Sequence, residues 1–376
     1  MGLLTTIKQF LPPSSRSFHE MYRKSIETSW IIEGIDERLD RMEQVNNSRF
    51  VRLERLFAES NRQLDAHDTH MKLLAWSLYR QEGEALDDAK KRFFRQLSPA
   101  TGMSRLIQLG CAQLLHEFDE ICRENDLPYW ATWGTLLGTI RHQGFIPWDD
   151  DADVGMMRED IRTLIDIVSS SERHVVTVIY DYRAACRQVR FRYRDEAIPC
   201  FIDIFIHDYL DNSDGISFER QHFDLRRELH EQVRQVATAH WTYDHPLIPN
   251  NDPNSEPIGK LFDTFVEQQT VRNGANSDAS AATSIVWSVD NIDEGFPGHW
   301  HLLSIDDYFP VTHMPFEGGE IAVPHRYEAI LFEMFGDYLS LPSDINGHIN
   351  QHYKPEDLDS METAEAIEAL LAQRND

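Results

Sequence analysis

Hydrophobic positions change their spacing several times along the chain, and each change marks a predicted element. Ile35, Leu39, Met42, Asn46, Arg49, Leu53 and Leu56 advance in alternating steps of three and four, with Glu, Asp and Arg between them. That is the seam of a heptad repeat. A single amphipathic helix packed on its own domain would show the same spacing. Asn46 and Arg49 sit poorly against a dry core, however, and an Asn at a seam position fixes register and strand number, so residues 30–60 are read as a homo-oligomer contact. Pro12-Pro13 breaks the leader before it. Helical spacing resumes over residues 71–97, and Ser98-Pro99-Ala100-Thr101-Gly102 marks a boundary.

Beyond that boundary the pattern mixes both periods. Leu106, Leu109, Leu114, Leu115, Phe118 and Ile121 line one side of a helix over 104–125. An aromatic strand over 128–133 follows, then the turn Gly134-Thr135 and a short helix to His142. Residues 151–155 alternate with period two, so Asp151 and Asp153 share a face. A helix is predicted over 159–169 and strands over 175–180 and 188–193, the latter with Arg190 and Arg192 on one face. Residues 200–206 form an apolar strand interrupted by Asp203 alone. Helices follow over 216–239 and 258–272, a strand over 284–289, a hairpin over 314–324 and a helix over 327–335. The acidic segment 356–376 reads as a terminal helix. The class is α/β (α+β), a mixed sheet flanked by helices. It divides into a helical, coiled-coil region over 1–98, a catalytic domain over 99–355 and a tail over 356–376.

Asp149, Asp150, Asp151 and Asp153 stand between Phe145-Ile146-Pro147-Trp148 and Val154-Gly155-Met156-Met157. Carboxylates crowded beside a core raise one another's pKa unless a cation neutralises them. A hard divalent metal with oxygen ligands answers that need. A lone carboxylate in an apolar strand is costly unless paired or coordinating, which makes Asp203 the natural third ligand to Asp151 and Asp153. Asp149 and Asp150 either support the ligands or cap the turn in solvent.

Composition narrows the partners. A formal net charge of -27 and a pI near 4.9 exclude a sequence-independent grip on nucleic acid or an anionic membrane. A phosphate substrate would therefore depend on local arginines and a metal. Cys111, Cys122, Cys186 and Cys200 are widely spaced and form neither a zinc module nor a disulfide framework, so they read as buried thiols in a reducing compartment. No apolar run is long enough for a membrane span and no secretory h-region is present, which gives a cytoplasmic expectation.

Three separated blocks, GTLLGTIRHQGFIPWDDDADVGM, FIDIFIHD and MPFEGGEIAVPHRYEAILFEMFGDYLSLP, resemble the LicD family of phosphotransferases, which includes the fukutin-related proteins. In order, they span roughly residues 104–355. The resemblance implies a nucleotidyltransferase-like fold and a metal-dependent enzyme. It would move phosphocholine, or an analogous ribitol or glycerol phosphate, from a CDP-activated donor to a hydroxyl of a glycan or lipid-linked precursor, working peripherally where that acceptor lies at a membrane. Carried over position by position, it puts a phosphate-facing turn on Gly134-Thr135, the metal pair on Asp151 and Asp153 and the third carboxylate on Asp203. The basic position falls on Arg141 and the pocket-framing block on Phe316-Glu317-Gly318. The first hundred residues lie outside the resemblance, and residues 209–300 follow it loosely, which leaves the acceptor open.

The implied chemistry is an in-line displacement with Mg²⁺, for which Mn²⁺ can substitute, held by Asp151, Asp153 and Asp203. CMP leaves as Arg141 absorbs its charge, unless Arg141 pairs with Asp150 instead. Asp203 or Asp150 accepts the hydroxyl proton. Arg190 and Arg192 either reach donor phosphate or flank a sheet edge. Among the eight tryptophans, Trp130, Trp133, Trp148, Trp287 and Trp300 are candidates to face a quaternary ammonium. Two other classes remain: a nucleotidyltransferase that releases pyrophosphate from an NTP, and a coiled-coil interaction protein with a decayed catalytic domain.

Overall fold

A computed structural model describes residues 24, 51–52, 55–56, 59–61, 67–211, 215–236, 241–276, 280, 282–292, 303–341 and 360–373. The chain divides into two units, Met1–Arg80 and Gln81–Asp376. In the first unit the longest described run is a helix over 67–79, which exposes Met71, Leu74 and Leu78. The seam residues from Ile35 to Leu53, and the leader before them apart from Lys24, lie outside the described residues; Leu56 is exposed.

The second unit starts with helix α1 (Leu86–Arg95), after a break at Gly83, whose φ of 77° ordinary side chains rarely adopt. Its Phe94 is buried against Arg141 and His142, so residues 86–95 belong with the catalytic unit, and the division falls at Arg80/Gln81. Helix α2 (Gly102–Glu124) buries Ile107, Cys111, Leu114, Leu115, Phe118 and Cys122, the helical spacing of one core-facing stripe.

The sheet carries the strand order β1 (Tyr129–Ala131), β2 (Ala152–Met157), β5 (Phe201–Leu210), β4 (Cys186–Tyr193), β3 (His174–Asp181), β6 (Leu247–Pro249). Helix α3 (Trp133–His142) joins β1 to β2, and α4 (Arg158–Val168) leads from β2 to β3. Only β2 and β5 run parallel along this path, with Asp153 opposite Asp203; β4 lies antiparallel on the other side of β5, with Arg190 opposite Asp203. The far half of β5 pairs instead with β7 (Ala275–Asn276) and β8 (Ser284–Trp287), to which β9 (Leu303–Ser304) is added. The class expected from the sequence, a mixed sheet flanked by helices, is the one observed.

Helices α5 (Gly215–Val236) and α6 (Glu256–Asn273) build a second core from Leu225, Leu229, Val233, Phe262 and Phe265 with Trp241. After the short α7 (Ile305–Tyr308), a separate hairpin, β10 (Thr312–Phe316) and β11 (Gly319–Val323), precedes α8 (Tyr327–Phe335). The acidic tail is not detached. Its helix α9 (Met361–Ala372), capped by Ser360 on the Thr363 N–H, buries Ile367 and Leu370 in the main core. All four cysteines are buried and none is in a disulfide. No helix among the described residues is long and apolar enough to cross a membrane.

Candidate active site

Parallel pairing of β2 with β5 brings the N-terminal ends of two apolar strands side by side, and each end carries carboxylate. One oxygen each from Asp151, Asp153 and Asp203 lies within 4.8 Å of the others. Asp151 and Asp153 are each 8% exposed. Burial, followed by the charges of Asp151, Asp203 and Asp149, pushes the Asp153 carboxyl well above its ordinary range. A divalent cation with metal–oxygen distances of about 2.0–2.6 Å bridges oxygens so spaced, and a hard all-oxygen donor set suits Mg²⁺ or Mn²⁺. The residues present therefore fit the implied metal. Among the described residues no other trio of His, Cys, Asp or Glu converges in this way.

One cation is built in. Arg190 Nε donates to Asp203 Oδ1 at 2.7 Å and Nη2 to Oδ2 at 3.4 Å, while the guanidinium lies 4.0 Å from the centre of the Phe201 ring. Strand register produces this pairing, because Arg190 of β4 stands directly opposite Asp203.

The turn before α3 is tied to the main chain of Asp153. The Thr132 N–H donates to Asp153 O at 3.1 Å, and the Asp153 N–H donates to Thr135 Oγ1 at 2.7 Å. Between these anchors Trp133 takes a φ of 43°, a strained value for a bulky residue. At Gly134-Thr135, where the resemblance implies a phosphate, the carboxylate of Asp149 lies close against Gly134. The N-terminus of α3 favours negative charge, and here the chain supplies it. Asp150 is buried beside it.

The loop from Gln143 to Asp149 is held from a distance. Arg105 grips Glu317 through Nη1 and Nη2 at 3.0 and 2.7 Å, and Glu317 Oε1 also accepts the Phe145 N–H at 3.0 Å. Gln108 Nε2 donates to the carbonyls of Asp149 and Ile146 at 2.8 and 3.2 Å. Glu317 sits at the hairpin tip, where its own φ of 47° and the 80° of Gly318 turn the chain back on itself. Arg105 carries no signal in the sequence, and Gln108 only that of a polar residue interrupting the apolar side of a helix.

Arg141 is not beside these groups. Six residues beyond Thr135 on α3, it lies about 9 Å further along the helix axis. It is 95% buried, its guanidinium 3.6 Å from the centre of the Phe94 ring, with Nε and Nη2 lacking any acceptor. Burial lowers its pKa to about 10. It pairs neither with Asp150 nor with the trio, because α3 carries its C-terminal end away from the strand ends that hold the carboxylates. His142, next to it, is lowered to about 3 by burial and then by Arg141. Arg192 stands opposite Phe201, one strand repeat from Asp203, and donates to Tyr193 O at 3.4 Å. Trp148 is half-buried on the edge of the main core, and Trp300 lies outside the described residues.

A second ionic cluster occupies the other ends of the same strands. Arg158 is bidentate on Asp208 at 2.7 and 2.8 Å and reaches Asp290 at 3.2 Å; Arg187 bonds Asp290 at 2.9 Å and Asp263 at 2.6 Å. Gln269 Nε2 adds a bond to Asp208 at 2.9 Å. The two guanidiniums hold Asp290 far below the ordinary carboxylate range, overcoming its burial.

Sequence comparison relates this stretch to known proteins. Residues 126–246, which hold Asp151, Asp153, Asp203 and Arg190, match the family model described as LicD/FKTN/FKRP, nucleotidyltransferase domain. The chain is 25% identical over 264 residues to the lipopolysaccharide cholinephosphotransferase LicD of Haemophilus influenzae, across 65% of this chain and 96% of that protein. An uncharacterized protein of Rickettsia prowazekii is 34% identical over 170 residues, 42% of this chain and 55% of its own length. Another, from Rickettsia typhi, is 41% identical over 75 residues, 20% of this chain and 22% of its own. The stretch that matches the LicD/FKTN/FKRP nucleotidyltransferase domain is the one built around the strand ends that carry the three aspartates.

Proposed function

We propose that this protein is a metal-dependent phosphotransferase that moves phosphocholine from CDP-choline to a hydroxyl of a cell-surface glycan or its lipid-linked precursor, releasing CMP. The observation that carries this reading is the convergence of Asp151, Asp153 and Asp203 within 4.8 Å, in a chain similar to a lipopolysaccharide cholinephosphotransferase. Mg²⁺, or Mn²⁺ in its place, held by these three carboxylates would neutralise charge on the donor phosphates. Arg190 keeps a second positive charge at Asp203 and faces the phosphate being displaced. The acceptor oxygen bonds to the distal phosphorus, the bond from that phosphorus to the bridging oxygen breaks, and the bridging oxygen leaves with CMP. The hydroxyl proton passes to a carboxylate, Asp203 or Asp150. The Glu317–Arg105 clamp behind the loop holds the group in place. A lipid-linked acceptor would bring the enzyme peripherally to a membrane, and the heptad seam over residues 30–60 would join copies of it.

A second reading follows from the family description itself: a nucleotidyltransferase that attacks an NTP and releases pyrophosphate. Incubation with CDP-choline, CDP-ribitol, CDP-glycerol and CTP in Mg²⁺ separates the two. CMP from CDP-choline is the expected result. Pyrophosphate from CTP alone would replace the reading with the second, and CMP from the polyol donors alone would change the transferred group.

A further inference from the structure

Three aromatic side chains from separate elements converge on Trp133, the residue that the two Asp153 hydrogen bonds bracket. The Trp133 ring centroid lies 6.4 Å from Phe205, 5.8 Å from Trp287 and 6.4 Å from Phe335, the last two nearly perpendicular to it at 83° and 85°. Phe205 and Trp287 stack at 4.8 Å. Trp287 is buried, its Nε1–H donating to Ile292 O at 3.1 Å. Trp133 and Phe205 are half-buried and Phe335 is 39% exposed, which leaves the group open on one side.

Its position relative to the carboxylates is set by the sheet. Phe205 follows Asp203 by two residues on the same face of β5, a separation of about 6.6 Å. That is the scale of the two-carbon tether between phosphorus and nitrogen in phosphocholine. On the opposite side of Asp203, Phe201 already carries a cation over its ring, the guanidinium of Arg190. Asp203 therefore divides an aromatic residue that holds the protein's own cation from aromatic residues placed one strand repeat towards Trp133. The strained φ of Trp133 is consistent with a ring held in place for a ligand.

We propose that Trp133, Phe205, Trp287 and Phe335 form the subsite for the quaternary ammonium of the transferred group, with its phosphate directed at Asp151, Asp153 and Asp203. A trimethylammonium is attracted to the faces of aromatic rings, with Trp the strongest partner, and has no hydrogen-bond donors left unsatisfied there. A ribityl or glyceryl chain, by contrast, would bury hydroxyls without acceptors. This proposal rests on the phosphocholine reading and narrows it from a family of CDP donors to a cationic one.

Direct binding tests it apart from catalysis. Phosphocholine is titrated into the full-length protein by calorimetry, beside its carbon isostere 3,3-dimethylbutyl phosphate and beside glycerol phosphate, with Mn²⁺ present. Phosphocholine should bind about tenfold tighter than the isostere, and Phe205→Leu, which keeps apolar bulk but no ring face, should erase that difference while Mn²⁺ affinity stays the same. Trp133→Phe, retaining a weaker ring, should lose part of it; this variant also serves if Phe205→Leu fails to fold. Equal affinity for phosphocholine and its isostere in the unaltered protein would overturn the subsite. So would variants that keep the preference. Cation-selective binding without CMP release from CDP-choline would instead remove the proposed reaction and leave the subsite standing.

Discussion

Two ionic clusters sit on the same pair of parallel strands, five residues apart in sequence, and they behave oppositely. At one end Arg158 and Arg187 meet Asp208 and Asp290 in a closed set of charge-assisted bonds, which drives the Asp290 carboxyl down. At the other end Asp151, Asp153 and Asp203 meet one guanidinium, and the Asp153 carboxyl is driven up. Burial alone would raise both. Whether the chain neutralises its own charge decides the sign. The closed cluster ties α4 and α6 to the sheet, whereas the open one leaves the Asp153 carboxyl raised.

The sharpest way to break this comparison is to remove one carboxylate from each cluster. Asp153→Asn should abolish calorimetric Mn²⁺ binding and lower CMP release by about a thousandfold, since several kcal/mol of charge stabilisation disappears. Its urea midpoint without metal should be unchanged or higher, because repulsion is relieved; a marked fall would make Asp153 structural. Asp290→Asn should do the reverse, costing about 3–5 kcal/mol of stability by leaving two buried guanidiniums short of a partner. A midpoint equal to that of the unaltered protein would dissolve the distinction.

A smaller effect is expected behind the open cluster. Glu317→Gln removes the charge that Arg105 grips while leaving the trio intact, so Mn²⁺ affinity or turnover should drop about 10–100-fold, as for other residues that orient ligands from behind. Unchanged kinetics would make the clamp incidental. The smallest effect concerns pH. His142 is held neutral, with its pKa lowered to about 3, while the unfolded chain takes up that proton near pH 6.5. The unfolded state thus binds more protons between those values, and stability should fall as pH drops through 6.5 towards 3. His142→Gln should flatten that slope by up to one proton when denaturant midpoints are followed against pH; an unaltered slope would assign it to other groups.

What could be read beforehand depended on how local the signal was. Asp151, Asp153 and Asp203 were legible as a group because period-two alternation and flanking apolar residues are properties of short segments. Arg190 was legible as a face, but its partner was not, since Asp203 comes opposite it only through the β4–β5 register. The packing of Arg141, in the last turn of α3, on Phe94 was not legible, since it joins residues 47 positions apart. The acidic composition of residues 361–372 hid Ile367 and Leu370, whose burial depends on the distant α2. The two-residue strands β7 and β9 exist only by pairing and carry no pattern of their own.

The bond from Arg105 to Glu317 spans 212 positions of the chain. A ribosome adding about 5–20 residues per second places the aspartates in the growing polypeptide well before the hairpin that steadies their loop. During that interval the three carboxylates and their strands can exist without the brace. Synthesis therefore sets an order of events: acidity comes first, geometry later, and a chain cut anywhere between α5 and β10 would retain the complete acid trio yet never acquire its support.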